Sequence, residues 1–140
     1  SATVVATIAG LGRASMTEAT VLAAIEAATD TINQIAGDRP EVAGMGTTVT
    51  GLVWTDGVMA IVHCGDSRAY RLRDDHLERL TTDHTYVQAL VDAGRITEEE
   101  AAVHPRRSLL MRAIDGTPGV VIDHRTLDVM ASDRFFVCSV

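Results

Sequence analysis

The stretch Val58–Cys64 constrains the fold more than any other part of the chain. Read as a strand, it places Met59, Ile61 and His63 on one face and Val58, Ala60, Val62 and Cys64 on the other. Both faces are mostly apolar. A strand of that kind must be central in its sheet and covered on both sides. Thr55-Asp56-Gly57 before it is a hairpin turn signal, and residues 47–54 supply a β-rich partner. Gly65-Asp66-Ser67 ends it. Residues 69–73, the Asp74-Asp75 turn and residues 76–80 form a further hairpin, so 45–80 reads as a β-meander.

The flanks are helical. Val4, Val5, Ile8 and Leu11 share one face before Gly10 and Gly12 weaken the helix. A second helix follows Thr17, with Val21, Leu22, Ile25, Ala28, Ile32 and Ile35 at helical spacing, and Gly37-Asp38-Arg39-Pro40 ends it. Beyond the meander, Tyr86, Val87, Leu90 and Val91 form an apolar face that Gly94 caps. Thr97-Glu98-Glu99-Glu100 is a capping box, His104-Pro105 stops that helix, and residues 108–114 read as a third short helical piece. Residues 120–127 and 134–138 return to strand. Helices, strands, helices, strands in that order predict an α+β domain with antiparallel sheet and helical layers outside it.

Composition narrows the function. At 140 residues, 46% apolar and 22% charged, the chain is sized for one core and is neither a disordered tail nor a coiled coil. No apolar run reaches the ~18 residues of a membrane span, and Ser1-Ala2-Thr3-Val4-Val5 has no basic leader region. The net charge of −7, with arginine as the only strong base, argues against a nucleic-acid binder. Cys64 and Cys138 lie in apolar runs without CxxC spacing, which fits buried free thiols in a reducing cytoplasm.

Chemistry concentrates at Gly65-Asp66-Ser67-Arg68. An aspartate at the end of a buried central strand projects a carboxylate at the sheet's rim, where a hard cation finds oxygen on a rigid element. An Asx turn is the commoner outcome for such a quartet taken alone. Gly44-Met45-Gly46-Thr47-Thr48 lacks the lysine and the following helix of a phosphate loop. His63, His76, His84, His104 and His124 show no HxxxH or HExxH pair, so a zinc site has little support. Asp83 is suited to cap the helix after it, the run 98–100 to favour a helix N-terminus, and Arg106-Arg107 to be a solvated pair or to meet a phosphate.

In order along the chain stand Gly44-Met45-Gly46-Thr47-Thr48, Gly65-Asp66-Ser67-Arg68-Ala69-Tyr70, Thr82-Asp83-His84-Thr85, Asp92-Ala93-Gly94-Arg95-Ile96-Thr97, His104-Pro105-Arg106-Arg107-Ser108-Leu109-Leu110-Met111-Arg112-Ala113 and Asp133-Arg134-Phe135-Phe136-Val137-Cys138-Ser139. This series resembles the bacterial metal-dependent Ser/Thr protein phosphatases of type 2C, over nearly the whole chain. The resemblance implies an α-β-β-α sandwich, two antiparallel sheets flanked by helices, incomplete here. It implies hydrolysis of phosphoserine and phosphothreonine on proteins by a water activated between two Mn²⁺ or Mg²⁺ ions. Asp66 would then be a carboxylate ligand of a third ion, and Ser108 would offer that ion a backbone oxygen. Residues 85–110 correspond to the family's flap segment. Phosphorylated proteins, a Ser/Thr kinase among them, would be the partners, in the cytoplasm.

Departures from the pattern matter equally. The family's opening arginine and Asp-Gly-x-Gly-Gly motif would end just before Ser1, and Val140 stands where the family has an aspartate. No catalytic residue is therefore carried over. The expectation is that 1–140 is a single partial phosphatase domain, inactive alone, with a non-catalytic interaction or regulatory module as the alternative.

Overall fold

A computed structural model describes residues 2–11, 16–55 and 57–139. Gly12, Asp56 and Val140, to which the sequence reading gave roles, lie outside the described residues. Helix α1 spans Ala2–Ala9 and α2 spans Glu18–Asp38. Thr17 opens α2 with a capping box, its hydroxyl accepting from the Thr20 backbone N–H. Val21, Ala24, Ile25, Ala28 and Ile32 then make one buried stripe at three- and four-residue spacing. Of the apolar face expected for α1, Val4 is buried and Ile8 and Leu11 pack on the core, but Val5 is exposed. The stripe is thus narrower than the sequence pattern implies.

Six strands follow: β1 (Val49–Thr55), β2 (Val58–Cys64), β3 (Arg68–Arg73), β4 (His76–Arg79), β5 (Asp123–Leu127) and β6 (Arg134–Cys138). They form two antiparallel sheets, ordered β1-β2-β5 and β4-β3-β6. The α+β class is as expected, but the continuous meander is not. β2 and β3 do not pair. The corner at Gly65, where φ is +114°, turns the chain out of one sheet and into the other. The β2 partner on that side is instead β5, whose Arg125, 64 positions later, pairs with Ile61.

β2 occupies the position its two apolar faces require. Val62 and Cys64 join Val21, Ile25, Ala28 and Ile32 in a core between the helix pair and the first sheet. Ile61, with Met59 against it, joins Ala69, Leu80 and Leu127 in a second core between the two sheets. The layers run helices, sheet, sheet. The outer face of the second sheet carries Leu77 and Phe136, both exposed. Among the described residues, helical cover there is limited to α3 (Tyr86–Asp92), whose Gln88 reaches Arg79.

Helix α4 spans Glu98–Val103 behind the Thr97 capping box, and Gly94 follows α3 at φ +65° as its cap. Residues 108–114 are not helical. Leu110 bridges Thr85, and Ile114 exchanges backbone hydrogen bonds with Thr47 in both directions, at 2.9 and 2.8 Å. Extended pairing to two distant segments consumes the groups a helix would have used. Cys64 is buried and free, as expected, whereas the free Cys138 is exposed. It ends β6.

Candidate functional site

The corner after β2 is built around the absence of a side chain. A Cβ on Gly65 would fall 2.3 Å from Thr48 Cγ2, and its φ of +114° already disfavours other residues. Thr48 is fixed in turn, its Oγ1 lying 2.8 Å from Ser67 Oγ. Asp66 therefore leaves a rigid bend. Its carboxylate is half-buried, and among the described residues no hydrogen bond or ion pair engages it. The Asx turn is accordingly absent from this corner.

Asp66 faces two cavities. One, of about 350 Å³, is shared with Ser108, Arg107, Glu98 and the Arg68–Asp83 pair. The other, of about 500 Å³, is shared with Thr48, Ser67, Arg112, Asp115 and Ser139. Folding thus brings Asp66 and Ser108, 42 positions apart in sequence, onto one cavity. Both offer oxygen, which suits a hard divalent cation, but such an ion takes six or more oxygen ligands. Among the described residues no group of three His, Cys, Asp or Glu side chains is placed to hold an ion. The donor chemistry fits one edge of a cation site and not a whole one.

Next to this corner Asp83 does not cap α3; Thr85 does, accepting from Gln88 N–H. Asp83 is buried and grips Arg68 instead. Arg68 Nε donates to Oδ1 at 2.9 Å and Nη2 to Oδ2 at 2.5 Å. Hydrogen bonding to this carboxylate holds the guanidinium pKa above its already high ordinary value. The clamp ties the start of β3 to the entry of the 85–110 segment.

The histidines also gain definite places. His63 is buried in β2, with Nδ1 2.8 Å from Thr50 Oγ1 and Nε2 donating to Thr82 O at 3.0 Å. Burial lowers its pKa, against a smaller upward effect of the Thr82 carbonyl. His84 lies beside it, ring centroids 4.7 Å apart. His84 Nε2 donates to Asp123 Oδ2 at 2.8 Å, and Arg112 Nη1 donates to Asp123 Oδ1 at 2.6 Å. Partial burial pushes the Asp123 pKa up, but these two partners outweigh it and leave the carboxyl below its ordinary value. Of the arginine pair, Arg106 stands over the Tyr86 ring at 5.8 Å and Arg107 lines the Asp66 cavity.

Sequence reasoning missed the His84–Asp123–Arg112 group and the Arg68–Asp83 clamp. Their members are 11 to 39 positions apart, and no local spacing links them. The adjacent Asp83-His84 pair was the single local hint that two buried polar groups leave the chain together.

No family model matches the chain. Its sequence is 44% identical over 117 residues to a protein of Mycobacterium tuberculosis named serine/threonine protein phosphatase PstP, a match covering 84% of this chain and 23% of that protein. It is 36% identical over 96 residues to the serine/threonine phosphatase Stp of Listeria innocua, covering 69% of this chain and 38% of that one. The chain therefore spans well under half the length of these relatives. A crystal structure of M. tuberculosis PstP superposes with a TM-score of 0.88 at 40% identity, covering 99% of this chain and 60% of that one. The PstP catalytic domain in complex with two manganese ions superposes at 0.84 with 37% identity, over 99% and 58%.

Proposed function

From the premise that this chain belongs to the bacterial metal-dependent Ser/Thr protein phosphatase family, we propose that it forms part of a domain that hydrolyses phosphoserine and phosphothreonine on proteins. The observation that carries the reading is the Asp66 carboxylate, unengaged among the described residues, held at a glycine-only corner and facing one cavity with Ser108. Asp66 and a Ser108 oxygen are the residues of this chain that would contact a Mn²⁺ or Mg²⁺ ion. When bound, a divalent ion would lower the pKa of a coordinated water, so that its deprotonated form could serve as the nucleophile toward phosphorus at neutral pH.

The chain's own residues perform the positioning. Gly65 and Thr48 fix where Asp66 leaves the sheet. The Arg68–Asp83 clamp sets the entry of the 85–110 segment, and Leu110 pairing with Thr85 sets its exit. A segment held at both ends but carrying Ser108 and Arg107 on the cavity between them has the layout of a flap over a phosphoprotein groove. Phosphorylated proteins, including a Ser/Thr kinase, are the proposed partners. Among the described residues no helix is long and apolar enough to cross a membrane, and a cytoplasmic site of action is proposed.

The absence of a three-carboxylate cluster among the described residues favours one alternative, a phosphatase-like interaction module without catalysis. One experiment separates the two. The complete protein that carries this chain is assayed for Mn²⁺-dependent hydrolysis of a phosphothreonine peptide, alongside Asp66→Asn. The phosphatase reading expects turnover that falls with Asp66→Asn. A folded complete protein with no turnover at any Mn²⁺ concentration would leave the interaction module.

A further inference from the structure

We propose that His84 is a positioning residue that fixes the Gly65–Asp66 corner against the exit of the 85–110 segment. The inference rests on the reading of Asp66 as a metal ligand.

All four hydrogen-bonding groups of His84 are committed, two of them to Gly65. Its backbone N–H donates to Gly65 O at 2.8 Å, and its Nδ1 accepts from Gly65 N–H at 3.0 Å. Its carbonyl accepts from Met111 N–H at 2.8 Å, and Nε2 faces Asp123 Oδ2 at 2.8 Å. Because Gly65 N–H is a donor, Nδ1 must carry the lone pair, and the neutral ring's proton sits on Nε2 toward Asp123. Arg112 holds the other oxygen of Asp123. Arg112 Nη1 also lies 3.1 Å from Nε2, but both are donors, and what they share is the carboxylate between them. The imidazole side chain is 8% exposed, with the His63 ring against it, so water cannot readily replace it.

A chain of contacts therefore runs from Arg112 through Asp123 and His84 to Gly65, the residue before Asp66. It matters for the carboxylate because the corner has no side chain of its own to hold it. Among the described residues, the close approach of Thr48 and the two bonds to His84 define the Gly65 peptide groups. Met111, three residues after Ser108, is bonded to the same residue. His84 thereby sets the two metal-facing donors relative to one another without touching either.

The ring's two nitrogens can be tested separately in the complete protein. His84→Asn keeps an acceptor where Nδ1 lies and loses the reach to Asp123. His84→Gln keeps a donor near Asp123 and loses the acceptor for Gly65. Mn²⁺ affinity is read by electron paramagnetic resonance of free Mn²⁺, with thermal midpoint and phosphopeptide kcat/KM measured in parallel. The expected result is a Mn²⁺ affinity weakened about 10- to 100-fold in His84→Gln, the scale of lost outer-shell support. His84→Asn should stay much nearer wild type, although both variants lose thermal stability. Affinity losses that track the midpoint in both variants would overturn the proposal, as would wild-type affinity in His84→Gln. A further measurement needs no variant: long-range ¹H–¹⁵N spectra of the wild-type protein should show His84 protonated on Nε2 alone. A proton on Nδ1 overturns the proposal whether or not any variant folds. If the wild-type complete protein neither binds Mn²⁺ nor turns over, the phosphatase reading fails. The proposal, which rests on that reading, is then overturned with it as a statement about metal, whatever the tautomer.

Discussion

Replacing Gly65 by alanine tests the corner on which the site depends. Two costs arise. A φ of +114° strains any residue bearing a Cβ, at about 1–3 kcal/mol. The new methyl would also lie 2.3 Å from Thr48 Cγ2 and 2.5 Å from Thr48 Cβ. Thr48 cannot simply yield, because it is bonded to Ser67 Oγ and leads directly into β1. Overpacking of that kind costs about 1–3 kcal/mol. The sum, about 2–6 kcal/mol, predicts a thermal midpoint lower by roughly 5–20 °C for a domain near this size. Gly94→Ala serves as the control, since Gly94 also has positive φ (+65°) but nothing within 4 Å of an added Cβ. It should show the backbone cost alone. Urea unfolding of the complete protein, followed by circular dichroism, measures both. If Gly65→Ala costs no more than Gly94→Ala, the contact with Thr48 is not tight and the rigid-corner reasoning is refuted.

Three further outcomes are expected. Asp83→Ala removes one half of the bidentate pair with Arg68 and should cost about 2–4 kcal/mol in unfolding free energy; limited proteolysis should then cut within 85–110 more readily than in wild type. His63 has a folded pKa below its unfolded value of about 6.5, so its contribution to stability is complete above that pH and is lost as pH falls through the folded pKa. Stability measured from pH 7.5 down to 5 should fall less steeply in His63→Gln than in wild type. Burial raises the Cys64 thiol to about 11, while Cys138 is exposed, so iodoacetamide and mass spectrometry at pH 8 should label Cys138 alone in the native protein and both cysteines in urea.

Much of the architecture was legible along the chain because it depends on near neighbours. The two apolar faces of Val58–Cys64 required cover on both sides, and the structure supplies helices on one and a second sheet on the other. The capping box at Thr97, the start of a helix after Thr17 and the turn at Asp74-Asp75 were equally local. Residues 108–114 were misread because their partners, Thr47 and Thr85, lie far off in sequence, and pairing with them outweighs helix propensity. Asp83 was misread for a similar reason: a cap is a local option, but a guanidinium fifteen residues away offers a charge-assisted pair.

The sequence by itself determined the α+β class, the central place of β2, the glycine corner that carries Asp66 and the family resemblance, all through periodicity, turn chemistry and motif order. Only the tertiary structure decided that the meander breaks between two sheets, that Asp66 and Ser108 share a cavity, and that His84 joins Gly65 to Asp123 and Arg112. Those three results are long-range contacts. They follow from which buried polar groups find partners once the sheets close, and no spacing along the chain encodes that choice.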